Sequence, residues 1–448
     1  MFSCVLRGWM FGVVLLVGTA LVCPAGVCEG ASEDGVPDPA SERPREALSS
    51  PTTRVSKQPA EKEKQEEAEG SREVRSTLEE VKEELKEKEY GLDIHGAVVS
   101  FYQGAVGERI GKRKITEDAE PGVVGDLKLS YRPRSTFFKD GQFFLRFHAG
   151  TGKGSDERLG SKLFANLNTI ADDSGPYHHD DGFDRILLEG YYAHEFCNEK
   201  LILAVGKTEP LVFIDTNAFA NDQYSQFVGK PFVNNPILSN EDEYGPIFAA
   251  SFTPLEGVTL TALVQSSTHP YALPSGQKDM YHNLLEDPFV AAQVAYSPKI
   301  FGQEGNYRLY YWNATYDHPR IGSRGSVQGW GLGLSLDQKI TDAVGLFGRF
   351  GYHNEDAYEV PWFWSAGVNW KGILPLRAED QLGIGLAGLK ANEDLRHTGT
   401  EVHAELYYRI HLTKYFAVTP DFQWVVDPRG NSGNDPIFAG MVRGEFLF

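Results

Sequence analysis

At 448 residues the chain is too long for one small domain and has room for a tail followed by one large structure. Hydrophobic residues make up 41% and aromatics 12%, with 47 glycines, the mix of an all-β protein full of turns. The formal net charge of −19 argues against nucleic acid as a partner. It would also slow anions entering a pore, unless basic residues line the constriction.

The first residues read as a secretion signal. Arg7 supplies positive charge, Phe11 to Cys23 form an apolar run, and the small residues Ala25, Gly26, Gly30 and Ala31 follow. The run is shorter than the ~20 residues a membrane-spanning helix needs, so residues 1–30 are expected to be a signal peptide rather than an anchor. Cys23 follows Ala20-Leu21-Val22, a poor approach to a lipidated cysteine. Cys4, Cys23 and Cys28 belong to the signal region and only Cys197 lies beyond it, which leaves no internal disulfide framework.

Residues 31–60 are rich in Pro, Ser, Glu and Arg and poor in large apolar side chains, so they cannot bury enough surface to offset their ordering entropy. A disordered linker is expected there. Residues 61–90 are Glu/Lys-rich, with Val74, Leu78, Val81 and Leu85 on one stripe of a charged helix. Glu84 and Lys88 are four apart and add support. The stripe suits either a short coiled coil that oligomerises the protein or a solvated linker helix. Two heptads are short for a coiled coil, which favours the linker.

From residue 91 the pattern changes to short alternating segments. In Gly331-Leu332-Gly333-Leu334-Ser335-Leu336-Asp337 the leucines would face lipid, with Ser335 and Asp337 facing water. In 403–410 the inward set would be His403, Glu405, Tyr407 and Arg409. Segments near the ~9–11 residues of a tilted spanning strand fall at 91–103, 123–132, 142–150, 184–195, 200–207, 246–253, 257–266 and 288–297. They continue at 305–315, 326–338, 342–353, 361–370, 379–389, 399–412, 415–425 and 437–448. The expected fold over 91–448 is therefore an all-β, 16-stranded antiparallel transmembrane β-barrel, preceded by the signal and a disordered or helical periplasmic tail.

Connections alternate as such a barrel requires. Asn198-Glu199, Leu255-Glu256, Ile340-Thr341 and Thr413-Lys414 are tight turns. The longest links, 151–183, 208–245 and 267–287, fall in the other set and are expected outside the cell. That places the N-terminal tail and the C-terminus in the periplasm. Phe446 and Phe448 fall on the lipid-facing side, and a terminal aromatic on an alternating last strand resembles the signal read by the barrel-assembly machinery of Gram-negative bacteria.

The segment Leu187 to Lys207, then Phe213-Ile214-Asp215-Thr216-Asn217-Ala218-Phe219-Ala220-Asn221, resembles the carbohydrate-selective porins of the OprB type. The likeness continues through Gln226-Phe227, Val233-Asn234-Asn235-Pro236, Glu243-Tyr244-Gly245 and Gly329-Trp330-Gly331. It ends with Tyr408-Arg409-Ile410, Pro420-Asp421-Phe422-Gln423 and Val426-Asp427-Pro428-Arg429-Gly430-Asn431. The resemblance implies a monomeric or oligomeric diffusion channel of the bacterial outer membrane that passes small sugars such as glucose. Outer-membrane lipids and the assembly machinery would be its other partners; no enzyme activity and no cofactor are expected. A lipase-like barrel enzyme and a structural or receptor barrel are the alternatives.

Alternation names the inward candidates for the pore lining: Arg146, Glu189, Arg308, Trp312, Arg349, His403, Glu405, Arg409, Asp421, Gln423, Arg443 and Glu445. Opposed cationic and acidic columns would offer donors and acceptors to hydroxyl groups. The alternative for each residue is an ion pair that only stiffens the wall. Arg349→Ala or Arg409→Ala is expected to alter flux with little loss of folding. The loop from Glu209 to Tyr244 is long enough to fold inward and narrow the bore. Tyr177-His178-His179-Asp180-Asp181 contains metal-ligand types, but a solvated acidic loop is the better reading and no metal is expected. No nucleophile elbow, phosphate loop or zinc-protease motif is present.

Overall fold

Successive side chains of an extended chain point to opposite faces, so a segment that alternates leucine with glycine, serine or aspartate has one greasy and one wet face. Sixteen such segments form the wall of this protein. The computed structural model describes residues 91–107, 109–110, 113–114, 118–133, 135, 138–170, 187–238, 244–266 and 287–448. The expected signal peptide, linker and charged helix, and the Tyr177–Asp181 cluster, lie outside the described residues.

The long strands are β1 (Leu92–Val106), β2 (Asp118–Tyr131), β3 (Gly141–Thr151), β4 (Leu187–Phe196), β5 (Leu201–Thr208), β6 (Gly245–Leu255), β7 (Val258–Gln265) and β8 (Phe289–Tyr296). They continue as β9 (Gln303–Pro319), β10 (Ser326–Lys339), β11 (Val344–His353), β12 (Trp362–Lys371), β13 (Gln381–Lys390), β14 (Thr400–His411), β15 (Phe416–Val426) and β16 (Ile437–Leu447). Each pairs antiparallel with the next, and β1 pairs with both β2 and β16, which closes the cylinder. The seam is completed by Gly96 N–H to Phe448 O at 2.8 Å and Phe448 N–H to Gly96 O at 2.9 Å. A closed ring leaves no strand edge unpaired, the condition for β-structure to cross a bilayer.

The expected strand positions agree with these to within a few residues. β2 starts at Asp118 rather than 123, because Pro121 reads as a strand break in the sequence yet sits inside the strand. β9 runs on to Pro319 past a bulge between Ala314 and Asp317, where the apolar alternation has already ended.

The outer face carries exposed Leu332, Ile384, Leu386, Phe422, Val442 and Phe446. Aromatic pairs mark its two rims. Phe143 and Tyr192, 4.7 Å apart, sit with Phe138 at the short-turn rim. Tyr352 with Trp362 at 4.4 Å, and stacked Trp424 and Phe438 at 5.8 Å, sit at the long-loop rim. Two such belts around an apolar band are the pattern of outer-membrane barrels.

The bore is not empty. Segment 209–238 turns inward, as its length suggested, and so does 152–170, which the sequence reading placed outside. The two are stapled together: Thr169 N–H donates to Val228 O at 2.9 Å, and Lys230 N–H to Asn166 O at 3.0 Å. Phe227 meets Tyr407 edge-on at 4.9 Å and Phe347 at 5.3 Å, in a cluster with Phe232 and Phe363.

Leu332 lies mid-strand on the outer face. Leu332→Arg should destabilise the barrel by about 2–4 kcal/mol in lipid, the cost of an Arg near the bilayer midplane. A urea titration in vesicles measures it, and an unchanged midpoint would place Leu332 away from lipid.

Candidate pore constriction

Inward positions of β11 are Phe347, Arg349 and Gly351. Arg349 has no solvent exposure, and its guanidinium grips the inward segment at several points. Nη1 donates to Ala220 O at 2.7 Å and Phe232 O at 2.8 Å. Nη2 donates to Asp215 O at 3.1 Å, and Nε faces the Asp215 carboxylate at 3.1 Å. Asp215 is held in turn by Asn235 N–H at 2.7 Å and Tyr310 OH at 3.0 Å. A charge buried this fully is tolerable only because it is paired and its donors are filled.

A few strands further round the wall, on β14, Glu405 accepts from Val228 N–H at 2.7 Å and Gly229 N–H at 2.9 Å. Arg443 donates to Gln223 O at 2.6 Å and Gln226 O at 2.8 Å. Gln423 donates to Leu167 O at 2.8 Å. Glu401 accepts from Phe164 N–H at 2.9 Å and from Arg429 N–H at 2.7 Å, and pairs with His403 at 2.8 Å. Wall side chains thus bind the backbone of both inward segments.

The packing is lopsided. Between the other side of the inward segment and the wall of β2, β3 and β4 lies a cavity of about 380 Å³. Lys128, Phe144, Arg146, Glu189 and Tyr191 line it from the wall; Asp222, Tyr224 and Lys230 line it from the segment. Arg146 donates to Asp126 at 2.7 Å and Glu189 at 3.0 Å. Tyr224 OH donates to Asp126 at 3.1 Å, tying the segment to the wall across the cavity's edge.

All twelve residues expected to face inward do lie on the inner side of the wall, and they divide by what they touch. Arg146 and Glu189 reach the cavity. Arg349, Glu405, Gln423 and Arg443 hold the inward segments. Arg409 pairs with Glu445, Arg308 with Asp337 at 2.7 Å, and His403 with Glu401. Trp312 stacks on Phe289 at 5.9 Å, and Asp421 abuts Gln423. Lys128 was missed although its parity in β2 gives it away: Asp126 and Lys128 alternate with Gly125, Leu127 and Leu129. Asp222, Tyr224 and Lys230 belong to a loop, where no periodicity marks direction. Among the described residues no cluster of His, Cys, Asp and Glu could hold a metal ion.

A closed sixteen-stranded cylinder with an apolar outside, two aromatic belts and a polar bore narrowed by an inward segment is a porin. Residues 149–448 match the model of the carbohydrate-selective porin, OprB family, and the chain belongs to that family. The match begins inside β3. Porin B of Pseudomonas aeruginosa is 24% identical over 279 residues, covering 52% of this chain and 60% of that protein. An uncharacterized Aquifex aeolicus protein is 25% identical over 296 residues, covering 65% and 81%. The high-pH structure of Pseudomonas putida OprB aligns with a TM-score of 0.66 at 16% identity, covering 80% of this chain and 94% of that one. The protein is a channel of the bacterial outer membrane and not an enzyme.

The depth of Arg349 revises the expectation of a mild variant. Removing one partner of a buried pair costs about 3–5 kcal/mol, so Arg349→Ala should lower the unfolding midpoint as well as change conductance. Thermal melts and single-channel recordings check this, and wild-type values in both would show that Arg349 does not hold the segment.

Proposed function

We propose that the channel passes small neutral sugars, monosaccharides such as glucose, by passive diffusion through the cavity beside β2, β3 and β4. The observation that carries this is the cavity's mixed lining. Lys128, Arg146 and Lys230 stand with Glu189, Glu209 and Asp222, alongside the rings of Phe144, Tyr191 and Tyr224. Cations balanced by an equal number of carboxylates favour neither sign of ion. They do offer donors and acceptors to hydroxyl groups, while the rings offer surfaces to the apolar faces of a sugar. Arg146 is already bonded to Asp126 and Glu189, so a sugar gains little from it on entering and leaves readily, which flux requires.

In this reading the short turns and both termini face the periplasm and the long loops face outward. Lipid surrounds the wall, and the assembly machinery engages the terminal strand ending at Phe448. Association into a homo-oligomer is compatible with it.

Liposome swelling with the purified protein tests the proposal. Glucose should enter faster than a disaccharide, and Glu189→Gln should lower the ratio of glucose entry to that of an uncharged polyol of similar size. Swelling that depends on size alone would leave a porin without sugar preference, and lipid hydrolysis without swelling would sink the channel reading.

A further inference from the structure

At the long-loop rim, Arg429 in the link between β15 and β16 joins two other connections. Its Nη2 donates at 2.7 Å to Glu359, in the link between β11 and β12. Its guanidinium lies over the Phe164 ring of segment 152–170, 4.5 Å from the centroid. Its backbone N–H donates at 2.7 Å to Glu401, the fully buried carboxylate that also accepts from Phe164 N–H at 2.9 Å and Ala165 N–H at 3.3 Å. Side chain and main chain of one residue thus act on the same point of the inward segment.

The backbone is bent to allow this. Asp427, Arg429 and Gly430 have φ of 52°, 59° and 67°. Residues with a side chain hold that left-handed conformation only where surrounding contacts enforce it. Gly430 O accepts from Gly399 N–H at 2.9 Å, and a Cβ at 430 would stand 2.8 Å from Gly399 O, so the approach needs glycine. The partner link is fixed as well. Asn392 Nδ2 donates to Glu355 O at 2.6 Å and Tyr358 O at 3.0 Å, and Asn392 N–H donates to Glu359 O at 2.8 Å. An exposed ion pair alone contributes little. Here the pair shares one rigid geometry with a ring contact and a buried carboxylate.

We propose that Arg429 is a positioning residue for the constriction, which with Glu359 clamps segment 152–170 into the bore from the rim. What it holds reaches the cavity within a few residues. Asn166 O and Thr169 N–H staple the segment to Lys230 and Val228, and both Thr169 and Lys230 line the cavity. The clasp is partly exposed, Arg429 at 36% and Glu359 at 45%. Breaking it leaves no sealed charge behind, in contrast to Arg349, so the wall should keep its stability.

That Arg429 thereby sets the passable size rests on the cavity being the passage; its hold on the segment does not. Limited trypsin digestion of the full-length protein in detergent reads the hold, because Lys153, Arg158 and Lys162 lie in the segment. Arg429→Asn, which tolerates a left-handed backbone, should be cut there several-fold faster than wild type at an unchanged thermal midpoint. Arg429→Lys should return the rate toward wild type, since an ammonium can still pair with Glu359 over the ring. Glu359→Gln added to Arg429→Asn should add nothing. Wild-type cutting of Arg429→Asn, equal cutting of the Asn and Lys variants, or additive effects of the two substitutions would each overturn the proposal. So would faster cutting that only follows a lowered midpoint. In liposome swelling, Arg429→Asn should raise disaccharide entry relative to glucose several-fold. Faster cutting with an unchanged ratio would overturn the role at the constriction. If no form passes sugar, the functional reading fails while the digestion still decides the clasp.

Discussion

A bilayer interior offers a peptide group no hydrogen-bonding partner, and every other feature of this protein follows from that constraint. Strands can cross only if each finds neighbours on both sides, so the sheet must return to its own first strand. Here β1 meets β16 along ten residue pairs, from Ala97 opposite Leu447 to Val106 opposite Phe438. Closure divides the side chains by parity alone. One residue in two meets lipid and is apolar; the other meets the bore and is free to carry charge. A chain with modest overall hydrophobicity and no helix able to cross a membrane among its described residues can therefore be a membrane protein.

The same closure creates the bore, and a bore this wide would pass solutes without discrimination unless something narrowed it. Two loops do so, at the price of bringing their backbone groups away from water. Those groups are satisfied by wall side chains rather than by secondary structure. Arg349 takes carbonyls from one flank of the segment, Arg443 from another, and Glu405 takes N–H groups between them. The charged residues of a porin lumen thus serve two purposes here. Those behind the segment fix its position, and those before it line the cavity.

This division explains what the amino-acid pattern reveals. Strand number, order and facing were readable because alternation is enforced by two solvents, lipid and water, along every strand. Inward placement of Arg146, Glu189 and Arg349 came from parity alone. What each inward residue does was not readable, because that depends on where a loop lands. Arg349 and Arg146 look alike in the sequence, yet one is sealed under Asp215 and the other reaches the cavity. Segment 152–170 was assigned to the exterior because nothing local marks Leu163, Ala165 and Leu167 as bore-facing. Their burial needs partners hundreds of residues away, such as Glu401 and Gln423.

The net charge of −19 suggested a channel that repels anions unless its constriction is basic. Neither half of that alternative describes the bore. Lys128, Arg146 and Lys230 bring positive charge to the cavity, and Glu189, Glu209 and Asp222 cancel it within the same lining. Arg308 is matched by Asp337, and Arg409 by Glu445. Fields from charges elsewhere on the molecule are screened within about 8 Å at physiological salt, so the solute responds to these local sums. A passage neutral in sum but dense in donors and acceptors presents no barrier to an uncharged polar molecule. It still costs any ion part of its hydration shell, and under the proposed reading that asymmetry is what would let an acidic protein favour solutes that carry no charge at all.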